Sequence, residues 1–126
     1  MHDKQWKCYN PASHTAYIAA MTDALRCLEG KWKIRILYQL FSMDVLRFSE
    51  LERSIEGITQ KMLIQQLKEL EKDGLVHRMV YPQVPPKVEY SLTEVGHALA
   101  PAIIALMEWA ELRQSGGATQ KSSLVP

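Results

Sequence analysis

The sequence is short of most features that mark an enzyme or an extracellular protein. Its 126 residues hold two cysteines, Cys8 and Cys27, too few for a disulfide framework. In a reducing cytoplasm a structural disulfide between them is not expected. The two thiols and the four histidines, His2, His14, His77 and His97, show no metal-ligand spacing, so neither a metal nor a cofactor is expected. No nucleophile motif, glycine-rich phosphate loop or acid pair in a catalytic setting is present, which speaks against an enzyme. No apolar run approaches the length of a membrane span, and no signal-peptide pattern opens the chain. A soluble, cytoplasmic protein with no membrane partner is expected. A charge excess of one sign is missing as well: 15 basic residues face 14 acidic ones, a net +1. Any surface for nucleic acid must therefore come from segregated charge.

What is present suits one globular domain with a real core: 47% of residues are hydrophobic and 23% charged. The stretch around which the rest is organised runs from Thr59 to Gly74. Thr59 is a good N-cap, and Gly74 can close the helix in a left-handed conformation. Leu63, Leu67 and Leu70 recur at helical spacing. The opposite face carries Gln60, Lys61, Gln65, Lys68 and Lys72. Gln can reach base edges and Lys phosphates, but an ordinary solvated surface helix has the same pattern. The segments on either side decide between the two.

Residues 1–12 form a polar arm with Trp6, Cys8 and Tyr9, ending near Pro11. A first helix is predicted from about Ser13 to Leu28, with Tyr17, Met21, Leu25 and Leu28 on its apolar face. Gly30 interrupts it. A second helix, about Lys31 to Phe41, carries Ile34, Leu37, Leu40 and Phe41, with Trp32, Ile36 and Tyr38 on its flanks. Ser49 with Glu52 three residues later reads as a capping box, and Phe48 before it as a hydrophobic staple. The short helix they start, with Leu51 and Ile55 inward, ends at Gly57 and leads into the Thr59 helix, a helix-turn-helix order. After Gly74 the period becomes two. Residues 75–81 and Val88–Leu92 read as strands around a proline-stiffened loop, Pro82–Pro86, with Val88, Tyr90 and Leu92 on one face. A hairpin in this place is a wing. Thr93 caps a last helical segment bearing Val95, Leu99, Ile103, Leu106 and Ala110, with Ala98, Ile104, Met107 and Trp109 beside them. Pro101 predicts a kink or break near residues 97–100. So broad an apolar surface predicts a homodimer. The fold class is α+β, mostly α: a winged helix-turn-helix at 13–113 with added N- and C-terminal dimerisation helices, followed by a disordered tail, 114–126.

Several blocks in order resemble the HxlR-type winged-helix transcription regulators: Gly30-Lys31-Trp32, Arg47-Phe48-Ser49-Glu50-Leu51, Gly57-Ile58-Thr59-Gln60-Lys61-Met62-Leu63, Leu67-Lys68-Glu69-Leu70-Glu71-Lys72-Asp73-Gly74-Leu75-Val76, and Val88-Glu89-Tyr90-Ser91-Leu92-Thr93 with Gly96. The similarity spans roughly residues 19–110 and is far more specific than one short motif. It implies a homodimeric bacterial or archaeal regulator, MarR-like in fold. Its first and last helices would build the dimer, the Thr59–Lys72 helix would enter the major groove of double-stranded DNA, and the hairpin would reach the flanking backbone or minor groove. Some relatives sense oxidants or electrophiles through a cysteine. Counting back eleven positions from Gly30, where that cysteine commonly stands, reaches Ala19. The role does not carry over cleanly, and the thiol-sensor candidates are Cys8 and Cys27. A Cys in an apolar-periodic helix is usually inert, and Arg26 beside Cys27 lowers its pKa only if the side chains meet.

The expected DNA-contacting residues are Gln60, Lys61 and Gln65 for base edges, and Lys68, Thr59, Ser49, Arg47 and Lys31 for phosphates. Arg78 and Lys87 are the cations of the wing; for Arg78 a salt bridge to Glu89 across the hairpin is the alternative. The expected dimer residues are Tyr17, Met21, Leu99, Ile103, Leu106, Met107 and Trp109. An inverted-repeat operator follows from two-fold symmetry, with half-sites about 34–36 Å apart. A winged helix used to bind another protein is the competing class, since fold alone does not fix function. An apolar cavity between the first and last helices would be the place for a small-molecule effector, whose identity the residues do not specify.

Overall fold

The structure, a computed structural model, describes the backbone of residues 11–123 and the side chains of 14–116. Trp6, Cys8 and most of the expected arm lie outside the described residues. Helix α1 spans Pro11–Arg26, two residues ahead of the expected Ser13 start; the fixed φ of proline suits a first helical turn. Gly30, at φ +104°, separates it from α2, Lys33–Met43. Strand β1 (Val45–Arg47) leads straight into α3 (Phe48–Ser54). Helix α4 covers Gln60–Lys72, β2 Val76–Tyr81 and β3 Lys87–Leu92, and α5 (Glu94–Ala98) and α6 (Ala100–Ser123) complete the chain.

The core packs α2, α3 and α4 against the sheet. Ile36, Leu37 and Leu40 of α2 meet Leu51, Leu63, Leu67 and Leu70, with Val76, Tyr90 and Leu92 beneath them. The buried stripe of α2 is rotated from the predicted one: Ile36 and Trp32 are buried, whereas Ile34 and Phe41 are only partly covered. Strand β1 was not predicted. At three residues it is too short for periodicity to reveal; it exists because Leu46 is buried and its backbone pairs with β3, Leu46 opposite Tyr90. The antiparallel sheet is ordered β1-β3-β2.

Strand β1 also corrects the start of α3. Extended backbone runs through Arg47, so the helix begins at Phe48 and Glu50 falls on its third position. The Arg47 N–H donates to Glu50 Oε1 at 2.8 Å. The capping contact therefore runs one way, from the Arg47 N–H to Glu50, and replaces the expected pair of Ser49 and Glu52; a guanidinium has no acceptor to return it. Phe48 is the first helical residue rather than a staple, and packs on the core edge.

Leu99 separates α5 from α6, where Pro101 predicts a break. Thr93 caps α5, its Oγ1 accepting from the Gly96 N–H at 3.0 Å. Helix α6 runs on to Ser123, through residues expected to be a disordered tail. Adding residues to a formed helix costs far less than starting one, and the apolar first half of α6 provides that start. Among the described residues one stretch, Glu94–Gly116, reaches the length and composition of a membrane span, with a mean hydropathy of 1.2, contrary to the expectation that no run does. It is divided at Leu99 and carries Glu108, Glu111 and Arg113 in its second half. Its apolar side chains line, with those of α1, a cleft of about 620 Å³.

Candidate nucleic-acid interface

The α4 helix is held at both ends as its sequence suggests. Thr59 Oγ1 accepts the Met62 N–H at 3.1 Å, satisfying one of the free donors of the first turn. At the other end Gly74 stands at φ +80°. Its N–H donates to Glu71 O at 3.1 Å, and that of Leu75 to Leu70 O at 2.9 Å. This double closure needs a left-handed residue. Leu70 and Leu75 are both buried beside it. Burial of Leu63, Leu67 and Leu70 then fixes the rotation of the helix, and Gln60, Lys61, Gln65 and Lys68 are left exposed.

The same rotation exposes Ile64, which sequence reasoning passed over. The signal was there: Ile64 lies one residue, about 100° of helix, from Leu63, and so off the buried stripe. It sits between Lys61 and Lys68 on the exposed face. With Lys68, Glu71, Arg78 and Tyr90 it lines a groove of about 420 Å³ between α4 and the wing.

In the wing, Arg78 pairs in register with Tyr90, and Glu89 with Met79. Arg78 and Glu89 therefore point to opposite faces, and the carboxylate of Glu89 binds Lys87 Nζ instead, at 3.3 Å. Lys87 also lies 4.9 Å from the centre of the Tyr81 ring. Of the two wing cations, Lys87 is tethered, while Arg78 is exposed beside Lys68 on the groove.

The remaining candidates are arranged around the three-helix core. Ser49 and Arg47 are exposed at the start of α3, where the Glu50 carboxylate already occupies the Arg47 N–H. Lys31 and Arg35 share the buried indole of Trp32, at 4.8 Å and 5.3 Å from its centre. They line a hollow of about 580 Å³ with Glu56 of the helix-turn-helix turn. Lys33, by sequence one of three basic residues near the start of the second helix, is buried and bonded to Glu69 of α4.

The predicted dimer residues divide. Tyr17, Met21, Leu106, Met107 and Trp109 are exposed. Ile103 is not: at 3% exposure it belongs to the core of its own chain, and Leu99 is partly buried against that core. Helix α1 has no buried residue from His14 to Arg26.

Cys27 is half-buried after the end of α1. Desolvation pushes its thiol pKa above the ordinary value of 9.0, and the Asp73 carboxylate adds to the rise. Arg26 opposes this only weakly, its guanidinium being bonded to Asp23 at 2.8 Å. Thiolate, the reactive form, is thus scarce at neutral pH. Cys8, the other thiol candidate, lies outside the described residues. Among the described residues no group of three His, Cys, Asp or Glu could hold a metal ion.

Comparison with known proteins agrees with this architecture. Residues 27–116 match the model of the HxlR-like helix-turn-helix family. The HTH-type transcriptional regulator BH0655 of Halalkalibacterium halodurans is 53% identical over 91 residues, covering 72% of this chain and 80% of that protein. Among solved structures, the redox regulator HypR in its reduced form superposes with a TM-score of 0.74 at 45% identity, covering 79% of this chain and 98% of the other. The reduced transcriptional regulator YodB of B. subtilis gives 0.63 at 35% identity, covering 82% and 93%. A winged helix-turn-helix with a capped, Gln/Lys-faced second helix, matched over most of its length, places the chain in the HxlR-like helix-turn-helix family of transcription regulators.

Proposed function

We propose that the protein binds operator DNA as a homodimer, with α4 in the major groove and the β2–β3 wing on the flanking backbone. The exposed row of Gln60, Lys61, Gln65 and Lys68, fixed outward by three buried leucines, carries this reading. Gln60, Lys61 and Gln65 read base edges near the helix N-terminus. Ile64 supplies an apolar surface for a thymine methyl group. Lys68 and Arg78, on the two walls of one groove, take the same stretch of phosphate backbone, and Thr59, Ser49, Arg47 and Lys31 serve neighbouring phosphates. The protein acts by binding, not catalysis, and works in the cytoplasm.

The dimer reading rests on α1. A helix that buries nothing from His14 to Arg26 yet carries Ile18, Met21 and Leu25 gains little from its own chain. A second copy covering α1 and the exposed face of α6 accounts for both surfaces, and two-fold symmetry then requires an inverted-repeat operator.

Selection of bound fragments from sheared genomic DNA tests the proposal. Wild-type protein should recover an inverted repeat, and the Gln60→Ala/Lys61→Ala variant should fail to select it. Equal, salt-labile recovery of all fragments by both proteins would instead support a protein-binding winged helix.

A redox-responsive version of the regulator is favoured by one observation, the likeness to HypR and YodB. The raised pKa of the Cys27 thiol makes Cys8 the preferred thiol for such a response. Oxidant should then release DNA from wild type and Cys27→Ser alike, and not from Cys8→Ser; the reverse order would return the role to Cys27.

A further inference from the structure

Lys33 is the buried charge of this fold among the described residues. Its side chain is 8% exposed, and its Nζ lies 2.6 Å from Oε1 of Glu69, whose side chain is 42% exposed. Taking an ammonium group out of water is costly, and one carboxylate offsets that only in good geometry. An apolar residue would fill the same space more simply, so the pair supplies something that filling does not. It holds a carboxylate on α4 with one oxygen on the lysine and the other toward Gln65. The second oxygen of that carboxylate, Oε2, accepts from Nε2 of Gln65, one turn earlier, at 3.4 Å.

The consequence lies in the glutamine amide. Its oxygen and nitrogen are nearly alike in shape, and which is which is settled only by hydrogen-bond partners. Lys33 holds the Glu69 carboxyl below the usual glutamate range, so at neutral pH Glu69 is ionised and can only accept. The Gln65 nitrogen must then face Glu69. Its carbonyl oxygen and one remaining N–H are left for another partner.

We propose that Glu69, held in place by Lys33, is a positioning residue that fixes the orientation of the Gln65 amide and so determines which base edge Gln65 reads. The remaining acceptor and donor form the pair that matches the N6 amino group and N7 of adenine in the major groove. This inference rests on the reading of α4 as the recognition helix.

Two measurements test it. The first needs no DNA: the Gln65 side-chain amide signal in NMR spectra of the free protein, assigned with Gln65→Ala. It should stand apart from the exposed glutamines in wild type and merge with them in Glu69→Gln and Lys33→Met. The second is selection of bound sequences from a randomised duplex pool. Gln65→Ala and Glu69→Gln should each relax the same base position by about tenfold. The double variant should relax it no further, and the salt dependence of binding should be unchanged. Should Glu69→Gln fail to fold, Lys33→Met removes the clamp without altering α4 and makes the same comparison. The proposal is overturned if Glu69→Gln keeps the wild-type preference, or if it weakens every sequence equally, which is what a merely structural ion pair does. If the amide signal behaves as expected but wild type selects no sequence, the recognition-helix reading fails instead.

Discussion

The carbonyl oxygen of Leu75 occupies the space that a β-carbon on Gly96 would need. The approach is held in place from both sides. Thr93 N–H donates to that same Leu75 oxygen at 3.1 Å, and Thr93 Oγ1 donates to Gly74 O at 2.6 Å. The exit from α4 is thus pinned to the start of α5. Gly96→Ala should destabilise the fold by about 1–3 kcal/mol, read as a lower urea midpoint with an unchanged slope. An unchanged midpoint would show that the backbone gives way freely at this contact.

The Lys33–Glu69 pair makes a stability prediction separate from DNA reading. The folded-state pKa of Glu69 is lowered, chiefly by the hydrogen bond and charge of Lys33. Stability from the pair is therefore complete above the ordinary glutamate value of 4.5, and is lost as pH falls below it through the folded-state value. Glu69→Gln should flatten that part of the Tm–pH curve. It should also cost more stability at pH 7 than Lys33→Met, because it leaves a buried cation alone while the other leaves a half-exposed anion. The opposite ranking would argue that Lys33 reaches solvent.

The two wing cations should behave differently. Arg78→Ala should lower the slope of log affinity against log salt by about 1. Lys87→Ala should change it much less, since Lys87 is committed to Glu89 and the Tyr81 ring. Equal losses measured by fluorescence anisotropy over a salt series would mean that DNA frees Lys87 from both.

If α6 contributes to a dimer, a charge on its exposed apolar face should split it. Leu106→Glu/Trp109→Glu should sediment as a monomer with an unchanged circular dichroism spectrum, because both side chains are exposed in the single chain (Trp109 by 57%). Its affinity for an inverted repeat should fall toward that for one half-site. A variant that remains dimeric would place the interface elsewhere.

Much of this architecture was legible because it depends on neighbours in sequence. The Thr59 cap, the Gly74 closure and the leucine stripe are local features, and they set which face of α4 is exposed. The hairpin could be read because Val88, Tyr90 and Leu92 alternate with more polar residues. The break at Leu99 followed from Pro101. What escaped needs a partner distant in the chain. Strand β1 is extended because β3 lies beside it, and that shifted the start of α3 and moved the capping contact from Ser49 to Arg47. Arg78 and Glu89 looked like partners until the register put them on opposite faces of the sheet. Ile103 looked like an interface residue because helical spacing shows that a side chain is apolar but not what it meets.

The sequence by itself determined the elements other than β1, their order and the outward set of α4, because capping, periodicity and turn chemistry act over a few residues; its ordered blocks carried the resemblance to the family. Only the tertiary structure decided how the charges are used. Lys33 reads as one basic residue among three near the start of α2, and Glu69 as one of two acids on α4. That the first is buried and bonded to the second, thirty-six positions later (69 − 33), depends on how the two helices pack, since an ion pair forms only where packing brings the groups within a few ångströms.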